Sequence, residues 1–303
     1  MKNGIITLAV GKEFNKMAKY LGFSLILNSP SIIRAIITDN PKYFENIFDL
    51  IIPYSKDMGN PLFVKLNIHH YSPFYKSLFI DADTLVYTDL RFMWDYFEDK
   101  SIICVGNCLT EGNWHDMDIA NALNVCNIPW IAKINSGVFL FKKDKIGMAA
   151  LDFAVELHKN HEGIEIPFFR EKMLPHEPFF GLAMGKYNQV PINPTDDHGR
   201  LGRSYLRAKK IRLDITRGIS IFTKYNKKKW GGGKEIVFPS IVHYTGGPLG
   251  ELFYWAEKLN LLFYFKGIPG YLFVNYFTSI FKIFLNFIKY FKQLLTLKSN
   301  LEL

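Results

Sequence analysis

Residues 77–86 read Ser77-Leu78-Phe79-Ile80-Asp81-Ala82-Asp83-Thr84-Leu85-Val86. The apolar run before Asp81 suits a strand buried on both faces, as strands of parallel sheets are. Such a strand has no solvent side for two carboxylates spaced two apart. It must break after Ile80, turning Asp81 and Asp83 toward one point at the mouth of the sheet. Two ionised carboxylates this close repel unless a cation lies between them. Oxygen ligands select a hard divalent ion such as Mg²⁺ or Mn²⁺, which shares its remaining positions with substrate phosphates.

Working outward, apolar runs at residues 4–10, 35–39 and 49–53 read as further strands. Helical spacing covers residues 14–27, a segment opening at Pro41, and residues 62–71. Strands alternating with helices predict an α/β fold with a mostly parallel sheet covered on both sides. Ligands of such sheets sit beyond the carboxyl ends of the strands, which places Asp39 and Asp81 at the mouth. Strands are also expected at 101–106, 134–142 and 236–242, and a helix at 148–160. The polar stretch 107–129 reads as an irregular loop; loops of that length are often active-site covers.

With 49% hydrophobic and 21% charged residues in 303, the chain has the mix of a globular protein with a sizeable core. The net charge of +9 is uneven: residues 200–234 hold twelve Lys and Arg against Asp214 alone. That segment predicts an anionic partner molecule, or an anionic membrane beneath it. Within it, Lys227-Lys228-Lys229-Trp230 reads as a solvated loop, and no nucleic-acid recognition module is evident. Cys104, Cys108 and Cys126 are too few for a secreted disulfide framework, which implies a reducing, cytoplasmic setting. Together with His115 they fit no standard zinc spacing, so all three are expected to be buried thiols. Residues 4–10 are too short for a secretory signal core.

The end of the chain differs in kind. Residues 270–297 are mostly Phe, Ile, Leu and Tyr, while Lys282, Asn286, Lys289 and Gln293 recur at helical steps. The charge-free run is too short to span a bilayer. A basic stripe opposite a broad aromatic face suits an amphipathic helix lying in the membrane interface, on the inner face of the membrane. The division expected is an α/β domain at 1–265 and this tail at 266–303. A helix packed on the protein's own core or on a second subunit is the alternative.

The stretch around Asp81-Ala82-Asp83 resembles the metal motif of the retaining glycosyltransferases related to glycogenin and the bacterial lipopolysaccharide galactosyltransferases (glycosyltransferase family 8). The likeness continues in order through Phe63-Val64-Lys65-Leu66, Ile134-Asn135-Ser136-Gly137-Val138-Phe139, His176-Glu177-Pro178-Phe179 and Ile241-Val242-His243-Tyr244-Thr245-Gly246, and covers about the first 250 residues. It implies a single-domain GT-A fold with a nucleotide-binding first half. It also implies transfer of a hexose from a nucleotide diphosphate sugar, UDP-glucose or UDP-galactose, to a glycan or glycolipid hydroxyl with retention. On this resemblance Asp81, Asp83 and His243 hold the metal, and the imidazole tilts the choice toward Mn²⁺ over Mg²⁺. Lys65 and Ala82 meet the donor, Asn135 and Ser136 its sugar hydroxyls, and Glu177 lies near the anomeric carbon, with His176 as the alternative there. Gly246 and Gly247 approach the diphosphate, while Thr7, Ala9, Val10 and Asp39 border the base and ribose. The family's lysine after the late histidine is missing: Gly247-Pro248-Leu249 carries no base.

Two other readings stay open. An Asp-x-Asp after an apolar strand is also the nucleophile motif of haloacid-dehalogenase-type phosphatases, but that motif separates the second Asp from the Thr, and here Thr84 follows Asp83 directly. A GT-A scaffold kept as a non-catalytic, membrane-bound adaptor is the third.

Overall fold

In chain order the elements begin with β1 (Asn3–Ala9), α1 (Lys12–Asn28), β2 (Arg34–Thr38), β3 (Leu50–Pro53), α2 (Pro61–Leu66), α3 (Ile68–Tyr71), β4 (Lys76–Ile80) and β5 (Thr84–Val86). They continue with β6 (Ile102–Ile103), β7 (Gly106–Leu109), β8 (Asn113–Trp114), β9 (Met117–Asp118), α4 (Ile119–Cys126), β10 (Ile131–Ile134), β11 (Val138–Lys142), α5 (Lys145–Lys159) and α6 (Glu177–Lys186). The last are β12 (Arg203–Ser204), β13 (Ala208–Asp214), β14 (Ile219–Tyr225), β15 (Ile236–Val237), β16 (Ile241–His243) and α7 (Leu252–Phe265). This computed structural model describes residues 2–168, 173–194, 200–204, 208–225, 236–245 and 251–268. Gly246, Gly247, the Lys227-Lys228-Lys229 stretch and the expected interfacial helix lie outside the described residues.

The central sheet runs β3-β2-β1-β4-β11-β6. Its first four strands are mutually parallel, and β11 runs against both β4 and β6. Successive strand residues point to opposite faces, and both faces are covered. Ile6, Phe79, Phe139 and Phe141 enter the core beneath α5 and α6, whereas Ile5, Leu78, Ile80 and Leu140 enter a second core shared with Leu21 and Leu25 of α1. The continuous apolar runs of the sequence follow from this two-sided burial. A smaller sheet, β12-β16-β5, continues from the end of β4. The fold is the α/β architecture expected, with a mostly parallel central sheet. Among the described residues no helix is long and apolar enough to cross a membrane.

Several expectations need correction. The run 134–142 is two strands, β10 and β11, broken at Asn135-Ser136-Gly137; these are turn-forming residues hidden between apolar flanks. The helix at 62–71 divides into α2 and α3 at Asn67. The strand at 236–242 is interrupted before β16, where Pro239 has no N–H to give a ladder. Residues 107–129 are not an irregular loop: they hold β7, the β8–β9 hairpin and α4, anchored by buried Trp114, Met117 and Ile119. Only Cys104 is a buried thiol; Cys108 is exposed on β7, and Cys126, at the end of α4, is half-buried.

Helix α7 closes the second half through a buried acid. Glu257 is only 2% exposed and accepts hydrogen bonds from the Ile215 N–H at 2.6 Å and the Asn260 amide at 3.2 Å. Burial, helped by nearby Asp214, pushes its pKa up to about 8, against the pull of its hydrogen bonds from Ile215, Tyr87 and Asn260. An acid that binds its proton more tightly when folded adds stability below its unfolded pKa of roughly 4.3, and loses it as pH rises through the folded value. Glu257→Gln should therefore flatten the loss of stability between about pH 5 and pH 8, an effect on the order of a few kcal/mol. Urea midpoints measured across that range check this. Parallel profiles for variant and parent contradict it.

Candidate active site

The carboxylates of the opening motif emerge where expected, and hydrogen bonds show how. Strand β4 ends at Ile80, and the Asp81 N–H donates to the Gly137 carbonyl at 2.8 Å. The Thr84 hydroxyl donates back to the Asp81 carbonyl at 2.8 Å, closing a tight turn. Ala82 is buried in a cluster with Ala9, Met17 and Ile36, so it tethers the turn while the Asp residues on either side face the mouth. Antiparallel pairing of β5 with β16 sets His243 opposite Thr84. The Tyr244 N–H then donates to the Asp83 carbonyl at 2.8 Å, locking that register.

His243 Nε2 lies 3.0 Å from Asp83 Oδ1 and 3.8 Å from Asp81 Oδ2. The ligand atoms of the three residues fall within 4.8 Å of one another. On its other side His243 Nδ1 is 3.1 Å from Asn135 Oδ1, which also accepts from the Gly137 N–H at 3.1 Å. The backbone donor identifies this atom as the amide oxygen, so the Nδ1 facing it carries the proton. Nε2 is thereby aimed at the carboxylates, the arrangement found behind metal-ligating histidines. Burial works against a charged ring, but the hydrogen bond to Asp83 and the charges of Asp83 and Asp81 outweigh it, holding the His243 pKa above its ordinary value. Two carboxylates and one oriented imidazole suit a divalent ion.

Lys65, in the last turn of α2, is 6% exposed, and its Nζ lies 2.7 and 2.8 Å from the two oxygens of Asp81. Asn60 caps the start of that helix, accepting from the Phe63 N–H at 3.0 Å. Burial and the charge of Asp83 push the Asp81 pKa up, while Lys65 and His243 oppose them.

Glu177 opens α6. Its Oε1 accepts from the Ser136 N–H at 2.8 Å and the Ser136 hydroxyl at 3.2 Å. Its Oε2 lies 3.1 Å from His115 Nε2. Burial alone raises an acid's pKa, but His115, His176, the Ser136 N–H and Lys65 together hold Glu177 down to about 2. The carboxylate is therefore ionised at neutral pH. His176, whose Nε2 is 2.7 Å from the Ser136 hydroxyl, is driven down to about 3 by burial and the charge of Lys65. A neutral ring donating to Ser136, which donates to Glu177, satisfies all three groups. Helix α6 gets this close because it packs through glycine: a Cβ on Gly185 would stand 1.8 Å from the Trp130 carbonyl oxygen.

The tripeptide Asn135-Ser136-Gly137 is thus the hub, touching His243, Glu177 and Asp81 in turn. Ser136 is 1% exposed, and its hydroxyl bonds to His176 and Glu177 within the protein. Elsewhere at the mouth, Asp39 at the end of β2 accepts from the Gly11 N–H at 2.9 Å and the Asn15 amide at 2.8 Å. Register sets Ala9 beside Thr38, so Ala9, Val10 and Asp39 share one edge. Thr7 is fully buried, and its hydroxyl has no partner among the described residues.

Sequence reasoning weighs His115 only beside the cysteines and does not connect it with Glu177. It sits with Asp116 in the two-residue turn between β8 and β9, both at positive φ (51° and 61°). Such turns favour Asn-Gly or Asp-Gly, so His-Asp gave no local signal. Non-glycine residues held at positive φ are uncommon and concentrate at functional sites.

No protein-family model matches the chain, and no curated protein sequence does. Solved structures do. The apo structure of the bifunctional glycosyltransferase WbbM aligns over 90% of this chain at 11% identity, with a TM-score of 0.52. The chain spans about half of that protein's length, 51%. The galactosyltransferase LgtC, in complex with donor and acceptor sugar analogues, aligns over 80% of this chain and 87% of its own at 13% identity, with a TM-score of 0.49. Mouse xyloside xylosyltransferase 1 aligns over 81% of this chain and 98% of its own at 10% identity, with a TM-score of 0.46. The likeness to WbbM shows the fold, that of the GT-A glycosyltransferases.

Proposed function

We propose that this chain is a metal-dependent glycosyltransferase that moves a hexose from a nucleotide diphosphate sugar to a glycan or glycolipid hydroxyl, with retention. The observation that carries this is the meeting of Asp81, Asp83 and the oriented His243 within 4.8 Å, beyond the carboxyl end of β4. Asp81, Asp83 and His243 are the residues that would hold Mn²⁺ or Mg²⁺. Such an ion supplies Lewis-acid stabilisation of charge on a departing diphosphate.

The protein's own groups support the same chemistry. Lys65 adds a buried positive charge at the point where that negative charge gathers. Asn135 holds the His243 ring in one tautomer. Glu177, kept ionised by His115 and Ser136, offers a fixed negative charge for the oxocarbenium-like sugar. The leaving phosphate takes the acceptor's proton, since Glu177 is already held by three donors, the Ser136 N–H, the Ser136 hydroxyl and His115. UDP-glucose and UDP-galactose are the donors to try first. Release of a nucleotide diphosphate in the presence of Mn²⁺, stopped by EDTA, is the experiment that tests this reading.

The division at 265/266 belongs to the same proposal. Helix α7, leading to it, leaves Trp255, Tyr264 and Phe265 exposed, and Ile268 just beyond the helix is exposed too; the aromatic tail follows in sequence. We place the acceptor, a membrane glycolipid or anionic glycan, on that side.

A further inference from the structure

A second cluster of ligand-type side chains lies apart from the site above. His69 and His70 are consecutive in the short turn α3, and Asp152 projects from α5. Neighbouring side chains on a helix diverge by about 100°. Here, nevertheless, the two rings lie 4.2 Å apart between centroids, and both Nε2 atoms face one oxygen of Asp152, at 2.9 and 2.8 Å. One ligand atom from each residue falls within a common 4.8 Å. His69 is sealed at 0% exposure, while the side chains of His70 and Asp152 are about half exposed, at 49% and 52%.

As a purely hydrogen-bonded group this arrangement is poorly used. A single carboxylate oxygen serves two rings. As a ligand set it is ordinary: two imidazoles and a carboxylate at the protein side, with the outer position open to water through the exposed His70 and Asp152. Ligand atoms bound at about 2.0–2.1 Å stand roughly 3 Å apart, so the two imidazole–carboxylate separations need to open by only a few tenths of an ångström.

We propose that His69, His70 and Asp152 form a second metal site, for Zn²⁺ or a similar borderline divalent ion. The site ties α3 to α5. Because α3 follows α2 directly, it also braces the helix that presents Lys65 to Asp81. The two sites have opposite preferences: nitrogen-rich ligands favour zinc, while the carboxylate pair at Asp81 and Asp83 favours Mn²⁺ or Mg²⁺.

The test uses the full-length protein stripped of metal. Zn²⁺ binding is followed by calorimetry, and Co²⁺ substitution by its visible d–d absorption. Asp81→Asn/Asp83→Asn protein, with the first site disabled, should bind one equivalent and show a cobalt spectrum with imidazole ligands. Adding His70→Ala, or separately Asp152→Asn, should remove that equivalent or weaken it at least tenfold, while circular dichroism without metal stays that of the parent. Wild type should bind one zinc more than His70→Ala alone, which keeps the test independent of how well the double variant folds. The proposal is overturned if His70→Ala and Asp152→Asn bind as many equivalents, as tightly, as their parents. It is equally overturned if neither the Asp81→Asn/Asp83→Asn protein nor the wild type shows saturable zinc binding outside the first site.

Discussion

Replacing Asp83 by Asn is expected to abolish sugar transfer while leaving the protein folded. The change removes a charge and almost no volume. Its Oδ1 is the atom 3.0 Å from His243 Nε2, so the loss falls on the ligand set itself. The turn survives, because Asp83 contributes to it through its backbone carbonyl, which accepts from the Tyr244 N–H. Removing one preorganised electrostatic partner of a transition state typically costs about 10²–10³-fold in turnover, and losing the ion along with it should put the effect at or above that range. Steady-state turnover with Mn²⁺, alongside thermal unfolding, checks both halves. Near-wild-type turnover at micromolar Mn²⁺ refutes the assignment.

Gly137→Ala should disable the same site from behind. A Cβ there would stand 2.2 Å from His243 Cε1, 2.4 Å from its Nδ1 and 3.0 Å from Asn135 Oδ1. The ring cannot retreat, since the carboxylates lie on its other side. Overpacking of this kind costs roughly 1–3 kcal/mol. Disturbing the groups behind a metal ligand costs about 10–100-fold in metal affinity. A double-mutant cycle isolates the cause. In a His243→Ala background the clash is gone, so the added methyl should lose most of its destabilising effect. Equal destabilisation in both backgrounds would show that Gly137 matters for its backbone and not for the space it leaves His243.

Much of this site is legible in the sequence, because its strongest features are local. An apolar run ending in two acids announces a strand end with charge to neutralise, and Asp81 and Asp83 stand where that logic puts them. The parallel sheet follows from apolar runs with no polar face, which two-sided burial explains. His243 is different. Alone it is one strand-end histidine, and only the order of motifs singles it out, because the pairing of β5 with β16 joins residues more than 150 positions apart. Asn135, Ser136 and Gly137 are conspicuous as a group, yet their roles depend on three partners distant in the chain. The family resemblance aims Asn135 and Ser136 at sugar hydroxyls; the structure adds that Asn135, Ser136 and Gly137 bond to His243, Glu177 and Asp81. His115 is least legible. The hairpin that carries it is held by the burial of Trp114 and Met117, and tertiary packing overrides the weak turn chemistry of His115-Asp116.

The most direct measurement is donor cleavage by the full chain, without acceptor, following UDP-glucose and UDP-galactose with Mn²⁺ and again with EDTA. A metal ion held by Asp81, Asp83 and His243 against the diphosphate predicts slow release of the nucleotide diphosphate together with free sugar. That release should vanish with EDTA and in Asp83→Asn. Release of inorganic phosphate instead would point to phosphatase chemistry at Asp81. Cleavage that continues in EDTA at an undiminished rate, or the absence of any binding or cleavage across a panel of nucleotide sugars with Mn²⁺, would contradict a metal-dependent glycosyltransferase.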